Sequence, residues 1–258
     1  MKLRIKLAVL ALSSLFLTTA GRAEEITVAA AADLKFAMDE ISSAFQQEHK
    51  KERINVVYGS SGKFYTQIKE SAPYDIFFSA DVGYARSLYS EGLAVTRPAL
   101  YALGRIVLWS PALDAAKVSL DDLAGSQFQK IAIANPKHAP YGKRAEEALR
   151  AAGVWEKVED KLVFGDNVAQ TAQFVESGNA QIGIIALSLA LSPELSAKGG
   201  YALIPEKLHE PLEQAYVITK HGAASALAKR FVQFMKTPKA RRIMVRYGFV
   251  LPGETASK

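Results

Sequence analysis

The sequence predicts an α/β protein of two doubly wound domains joined by two crossover strands. Three observations carry this. Short apolar, β-branched runs alternate with segments whose apolar residues recur at helical spacing, the pattern of parallel strands covered by helices. Some seven to ten such strands are too many for one small sheet in a chain of 258 residues, so the length reads as two domains. The composition, 49% hydrophobic and 22% charged with mean hydropathy near zero, is that of a globular protein.

Residues 25–31 (EITVAAA) read as a strand, and Leu34, Ala37, Met38, Ile41, Ala44 and Phe45 then share one helical face. Residues 54–58 (INVVY) form the next strand, 59–62 a tight loop and 63–70 a helix. The run 75–79 (DIFFS) is a third strand, and Asp81 caps a helix that Gly92 ends. Further short strands are 105–109, 130–134, 161–164 and 182–186. Helices lie between them at 143–152, closed by Gly153, and 168–176, closed by Gly178. A late strand at 215–219 precedes two helices, 225–236 and, after Pro238, 239–247. No linker of low complexity separates the domains, so the crossovers are placed in the extended segments around 100–107 and 214–219. Domain 1 is then discontinuous, 24–102 and 217–258, domain 2 spans 103–216, and a ligand cleft lies between them.

Residues 1–23 read as a secretory signal peptide. Lys2, Arg4 and Lys6 lead an uncharged apolar stretch, 7–20, too short to span a bilayer, and Gly21-Arg22-Ala23 offers small residues at a cleavage site. Removing it takes four basic residues from the 32, leaving 28 basic against 26 acidic side chains. The net charge of +6 is therefore mostly an export signal, and nucleic acid is not implied. The expected location is the periplasm. The absence of cysteine excludes disulfides, thiolate metal sites, a cysteine nucleophile and a lipid anchor on cysteine.

Open α/β sheets bind ligands where strands give way to helices. Four such turns are built of small residues: 30–33 (AAAD), 59–62 (GSSG), 135–142 (NPKHAPYG) and 165–168 (GDNV). The first N–H groups of each helix lack intrahelical partners and sit at the positive end of its dipole, so converging helix starts make an anion site without lysine or arginine. Other chemistries fit poorly. Gly62-Lys63 lacks the spacing and the following Ser or Thr of a P-loop, and no Gly-x-Ser-x-Gly elbow occurs. His49, His138, His209 and His221 are scattered without metal-type spacing, and Tyr141 lacks the acidic or histidine neighbours of a ferric site. The basic cluster at 236–246 reads as a solvated helix face.

Taken together, VAAAADL (28–34), YGSSG (58–62), APYDIFFSAD (72–81), IAIANPKHAPYG (131–142), DNV (166–168), 182–187 and KTPKARRIMVRYGFVLP (236–252) resemble the periplasmic molybdate-binding proteins of ABC importers, across essentially all of 25–252. The resemblance implies a type II periplasmic binding fold that closes on molybdate or tungstate. It implies a monomer without cofactor or catalytic residues that delivers its anion to permease subunits in the inner membrane. It assigns the oxyanion to Ser61 through hydroxyl and amide, to the backbone N–H of Tyr141 and to the amide of Val168. At the first turn, where many members carry Ser or Thr, this chain has Ala32 and Asp33, and where some carry a later tyrosine it has Ala186.

Selectivity follows from donors. Molybdate carries no proton at neutral pH, so N–H and O–H groups satisfy it fully, whereas hydrogen phosphate also needs an acceptor. Asp33 is expected to cap its own helix. Turned into the cleft as a carboxylate, it would repel a dianion and favour a protonated one. Sulfate or phosphate binding is the alternative reading within the same class, and an exported phosphate-ester hydrolase the alternative outside it.

Overall fold

The computed structural model describes residues 24–254. The signal peptide expected at 1–23 lies outside the described residues. From β1 (Glu25–Ala31) a short 3-10 turn at Ala32–Leu34 leads into α1 (Lys35–Glu48), followed by β2 (Arg53–Gly59), α2 (Ser61–Lys69), β3 (Ile76–Ser79) and α3 (Val82–Ser90). Then come β4 (Ala99–Gly104), β5 (Ile106–Ser110), β6 (Ile131–Ala134), α4 (Pro140–Ala151), α5 (Trp155–Val158), β7 (Leu162–Gly165), α6 (Val168–Glu176) and β8 (Ile182–Ala186). The chain ends with α7 (Leu187–Ala190), α8 (Pro193–Ser196), β9 (Gly200–Leu203), β10 (Leu212–Ile218), α9 (Ala226–Phe234) and α10 (Pro238–Arg246).

Two five-stranded sheets result, ordered β2-β1-β3-β10-β4 and β7-β6-β8-β5-β9. Both faces of the first are buried. Phe78 joins Met38, Ile41 and Phe45 of α1 and Phe231 of α9 on one side, while its neighbour Phe77 joins Phe64 and Leu88 on the other, as the two-residue period of a strand requires. The second sheet packs Trp109, Ile133 and Ile185 against Leu149 of α4 and Val175 of α6. Asp81 caps α3 by accepting from the Gly83 N–H at 2.7 Å. Gly153 and Gly178 follow α4 and α6 with φ of +69° and +75°, the left-handed geometry that ends a helix cheaply only at glycine.

The sheets are mixed rather than wholly parallel. β2, β1 and β3 run parallel, as do β7, β6 and β8, but β10 is antiparallel to β3 and β4, and β5 is antiparallel to β8 and β9. The cause is topological: β5 and β10 enter each sheet from the other domain, so they run against its βαβ units. By hydrogen bonding, residues 103–104 and 212–216 belong to the first sheet, so the chain leaves it after Gly104 and rejoins it at Leu212. β4 reads from sequence only as an extended connection and β9 not at all. Both are edge strands, where half-buried residues blur the apolar pattern.

Candidate oxyanion site

The carboxyl ends of β1 and β2 face the turns that follow β6 and β7, and Ala32, Asp33, Ser61, Tyr141 and Val168 all border one cavity there. Its volume is about 10 Å³. That is far below the roughly 300–1,000 Å³ of organic-ligand pockets. Among the described residues, no lysine, arginine or histidine borders it.

Each turn supplies donors for a local reason. In α2, the Ser60 side chain leaves its helix uncapped and meets His138 Nδ1 at 2.9 Å, while the Gly62 N–H donates to the His138 carbonyl at 2.9 Å. Ser61, fully buried between them, accepts the Ala80 N–H on its Oγ at 2.9 Å. With that lone pair occupied, the hydroxyl proton is free for another acceptor. In α4, Pro140 occupies the first helical position and has no N–H, so Tyr141 presents the first free amide. In α6, Asn167 Oδ1 accepts from Ala169 and Gln170 at 3.0 Å each, leaving the Val168 amide as the donor the cap does not use. Ala32 and Asp33 begin the 3-10 turn after β1. The positive ends of several elements therefore meet at one point.

Asp33 departs from the capping expectation. Neither the 3-10 turn nor α1 has a side-chain cap. Instead Asp33, 1% exposed, accepts from Tyr141 Oη at 3.0 Å and Gln214 Nε2 at 2.8 Å on Oδ2, and its Oδ1 has no partner among the described residues. The same Gln214 Nε2 approaches Tyr141 Oη at 3.0 Å, and Tyr101 Oη donates to Gln214 Oε1 at 2.7 Å. Burial raises the Asp33 pKa to about 7, and the hydrogen bonds from Gln214 and Tyr141 restrain the rise. Burial likewise holds Tyr141 and Tyr101 well above the usual phenol value, with the Asp33 charge adding to it. Burial and the nearby Lys63 lower His138.

The cluster clamps one domain on the other. Tyr141 on α4 reaches across to Asp33, Ser188 Oγ on α7 donates to the Asp33 carbonyl at 2.7 Å, and an exposed Lys63–Asp166 ion pair at 2.9 Å spans the rim. Sequence reading misses Gln214, Ser188 and the Ser60–His138 pair. Gln214 is fully buried at a register shift in β10, and such a bulge re-aims a side chain in a way no local pattern shows. A glutamine inside the run LEQAYVI was its one visible signal.

Among the described residues, no group of three histidines or acids is placed to hold a metal ion, and no helix is long and apolar enough to cross a membrane. The sequence model for bacterial extracellular solute-binding proteins matches residues 26–250. The chain is 38% identical over 232 residues to the molybdate-binding protein ModA of Rhodobacter capsulatus, covering 88% of this chain and 89% of that protein. It is 36% identical over 250 residues to ModA of Azotobacter vinelandii, covering 94% and 96%. Its fold is similar to the solved structure of the Azotobacter vinelandii periplasmic molybdate-binding protein, with a TM-score of 0.83, 33% identity, and coverage of 88% of this chain and 99% of that one. The sulfate-binding protein SubI of Mycobacterium tuberculosis shares the fold alone, with a TM-score of 0.74 at 14% identity over 89% of this chain and 88% of that one. Two mixed sheets closing on a donor-lined cavity, and a family match along nearly the whole described chain, place this protein in the bacterial extracellular solute-binding protein family, a family of binding proteins and not of enzymes.

Proposed function

We propose that the protein captures molybdate, and tungstate with it, in the periplasm and delivers it to the permease of an ABC importer. The observation that carries this is the convergence of helix starts and the Ser61 side chain on one small cavity that, among the described residues, no cationic side chain borders. A proton-free dianion needs donors only, and donors are what those turns present. The relatives named for molybdate support the choice of anion. Ala32, Asp33, Ser61, Tyr141 and Val168 are the proposed contacts. The mature chain begins at Glu24 after cleavage of the signal peptide and acts as a monomer without a cofactor.

One observation favours a second reading. A buried carboxyl at the cavity would, if ionised, accept a proton from hydrogen phosphate. Thermal melting with molybdate, tungstate, sulfate and phosphate at matched ionic strength separates the two. A ligand at about a hundredfold excess over Kd stabilises by about 2.7 kcal/mol. For a protein of this size that raises Tm by roughly 2–4 °C per kcal/mol. The expected result is a shift of several degrees with molybdate and tungstate and little with the others. A shift with phosphate or sulfate alone selects the second reading, and no shift with any of the four rejects an oxyanion ligand.

A further inference from the structure

Resting on the oxyanion reading, we propose that Asp33 enters the loaded site as a neutral carboxylic acid and is a hydrogen-bond donor to the bound dianion, so that capture of the anion takes up one proton from solvent. The geometry divides the carboxyl into two roles. Oδ2 accepts from two donors, Tyr141 Oη and Gln214 Nε2, as the carbonyl oxygen of an acid does. Oδ1 is buried and unpartnered among the described residues, on a side chain that borders the cavity. A protonated Oδ1 needs an acceptor. The surrounding turns offer it only amides and a hydroxyl already accepting from Ala80, whereas an oxyanion oxygen meets the need. An ionised Asp33 would instead put a third negative charge beside a dianion in a site that no cationic side chain borders among the described residues.

The groups facing Asp33 do not supply that cation. Tyr141 comes from α4, Gln214 from β10, and Tyr101 from β4 acts through Gln214. Ser188 of α7 binds only the Asp33 carbonyl. Burial keeps both tyrosines protonated. At the rim, His138 is paired with Ser60 and has its pKa lowered, and Lys63 is committed to the exposed Asp166. Asp33 itself is already displaced toward neutral pH by burial, and a dianion alongside moves it further the same way.

The molybdate ion itself stays unprotonated between about pH 6 and 9, so the proton bound on capture comes to Asp33. Because the loaded state holds the proton more tightly than the free protein, affinity is highest at low pH and falls as pH rises, by up to about tenfold per unit. Calorimetric titration of the full mature chain with sodium molybdate at about pH 6, 7, 8 and 9 is the test, repeated at about pH 8 in Tris and in HEPES, whose ionisation heats differ. The expected results are at least about tenfold weaker binding at the alkaline end and uptake of close to one proton per molybdate. Asp33→Asn carries a permanent donor where the acid carries its proton. It should lose both the pH dependence and the proton uptake, and bind more tightly than the natural protein at about pH 9. A tight but pH-independent wild type with no proton uptake overturns this inference and leaves the oxyanion reading intact. Loss of molybdate affinity in folded Asp33→Asn at the acid end also overturns it, since an acceptor was then required. No molybdate binding at any pH overturns both. The buffer comparison needs no variant, so a misfolded substitution does not decide the outcome.

Discussion

Ser61 is the side-chain hydroxyl proposed to meet the ligand, and its Oγ already accepts the Ala80 amide. Losing a hydrogen bond to a charged group costs roughly 1.5–3 kcal/mol. Ser61→Ala is therefore expected to weaken molybdate binding about tenfold to a hundredfold. Calorimetry measures this, and a wild-type affinity would place Ser61 outside the site. Asp33 illustrates the opposite dependence. Its identity suggests a helix cap, yet its chemistry is set by Tyr141 and Gln214, which lie 108 and 181 residues away in the chain. Space for that arrangement depends on Gly104, where an added Cβ would fall 2.3 Å from Tyr141 Oη and 2.6 Å from Gln214 Nε2.

At the scale of elements, the helix starts divide into those that position donors within a domain and those that join the domains. Asn167 belongs to the first kind. Its cap on α6 accepts two amides and leaves Val168 free. Asn167→Ala should cost about 0.5–2 kcal/mol of stability. The corresponding fall in Tm is roughly 2–4 °C per kcal/mol, with weaker anion binding as Val168 loses its fixed direction. An unchanged melting curve would show that the cap contributes nothing. Gly62 belongs to the second kind. A Cβ there would meet the His138 carbonyl at 2.6 Å, and His138 belongs to the other domain. The same Cβ would meet Tyr84 Oη of its own domain at 2.9 Å, but that is the far end of a side chain, whereas the His138 contact is backbone. Gly62→Ala is thus expected to hinder closure more than it disturbs packing within the domain, with anion affinity falling by an order of magnitude or more and Tm measured without anion falling only slightly. A large fall in that Tm with normal affinity would contradict this. Binding and melting respond in opposite proportion at these two positions because one contact lies inside a domain and the other bridges two.

For the whole molecule, closure brings a carboxyl out of water. Burial in this arrangement raises Asp33 from the usual 3.8 to about 7. For a group raised in the closed state, the stabilising contribution is complete below its ordinary value and is lost as pH climbs through the raised one. The cleft should therefore open as pH rises from about 4 to 7, driven by ionisation of Asp33. Small-angle scattering without anion should show the radius of gyration increasing over that range, and Asp33→Asn should abolish the increase. A radius independent of pH in the natural protein would show that Asp33 does not govern opening. The Lys63–Asp166 pair at the rim contributes little to closure, since both side chains are about half exposed and such pairs are worth roughly 0–1 kcal/mol.

The alternation of strands and helices, the helix stops at Gly153 and Gly178, the Asp81 cap and the four small-residue turns are legible in the chain because each depends on neighbours within a few residues. Periodicity and backbone sterics act over that range, and they suffice for the fold class and for where donors begin. The edge strands β4 and β9, the antiparallel entry of β5 and β10, and the partners of Asp33 are not legible there, because they depend on which distant segments meet. The bulge that aims Gln214 exists only once β10 pairs with the distant β4, and the carbonyl of His138 that receives Gly62 and the burial that moves Asp33 toward neutrality exist only where the two sheets' turns meet. Local sequence determined where the proposed donors stand. Tertiary structure decided the state of its one carboxyl, because the charge of a buried acid is set by everything packed around it.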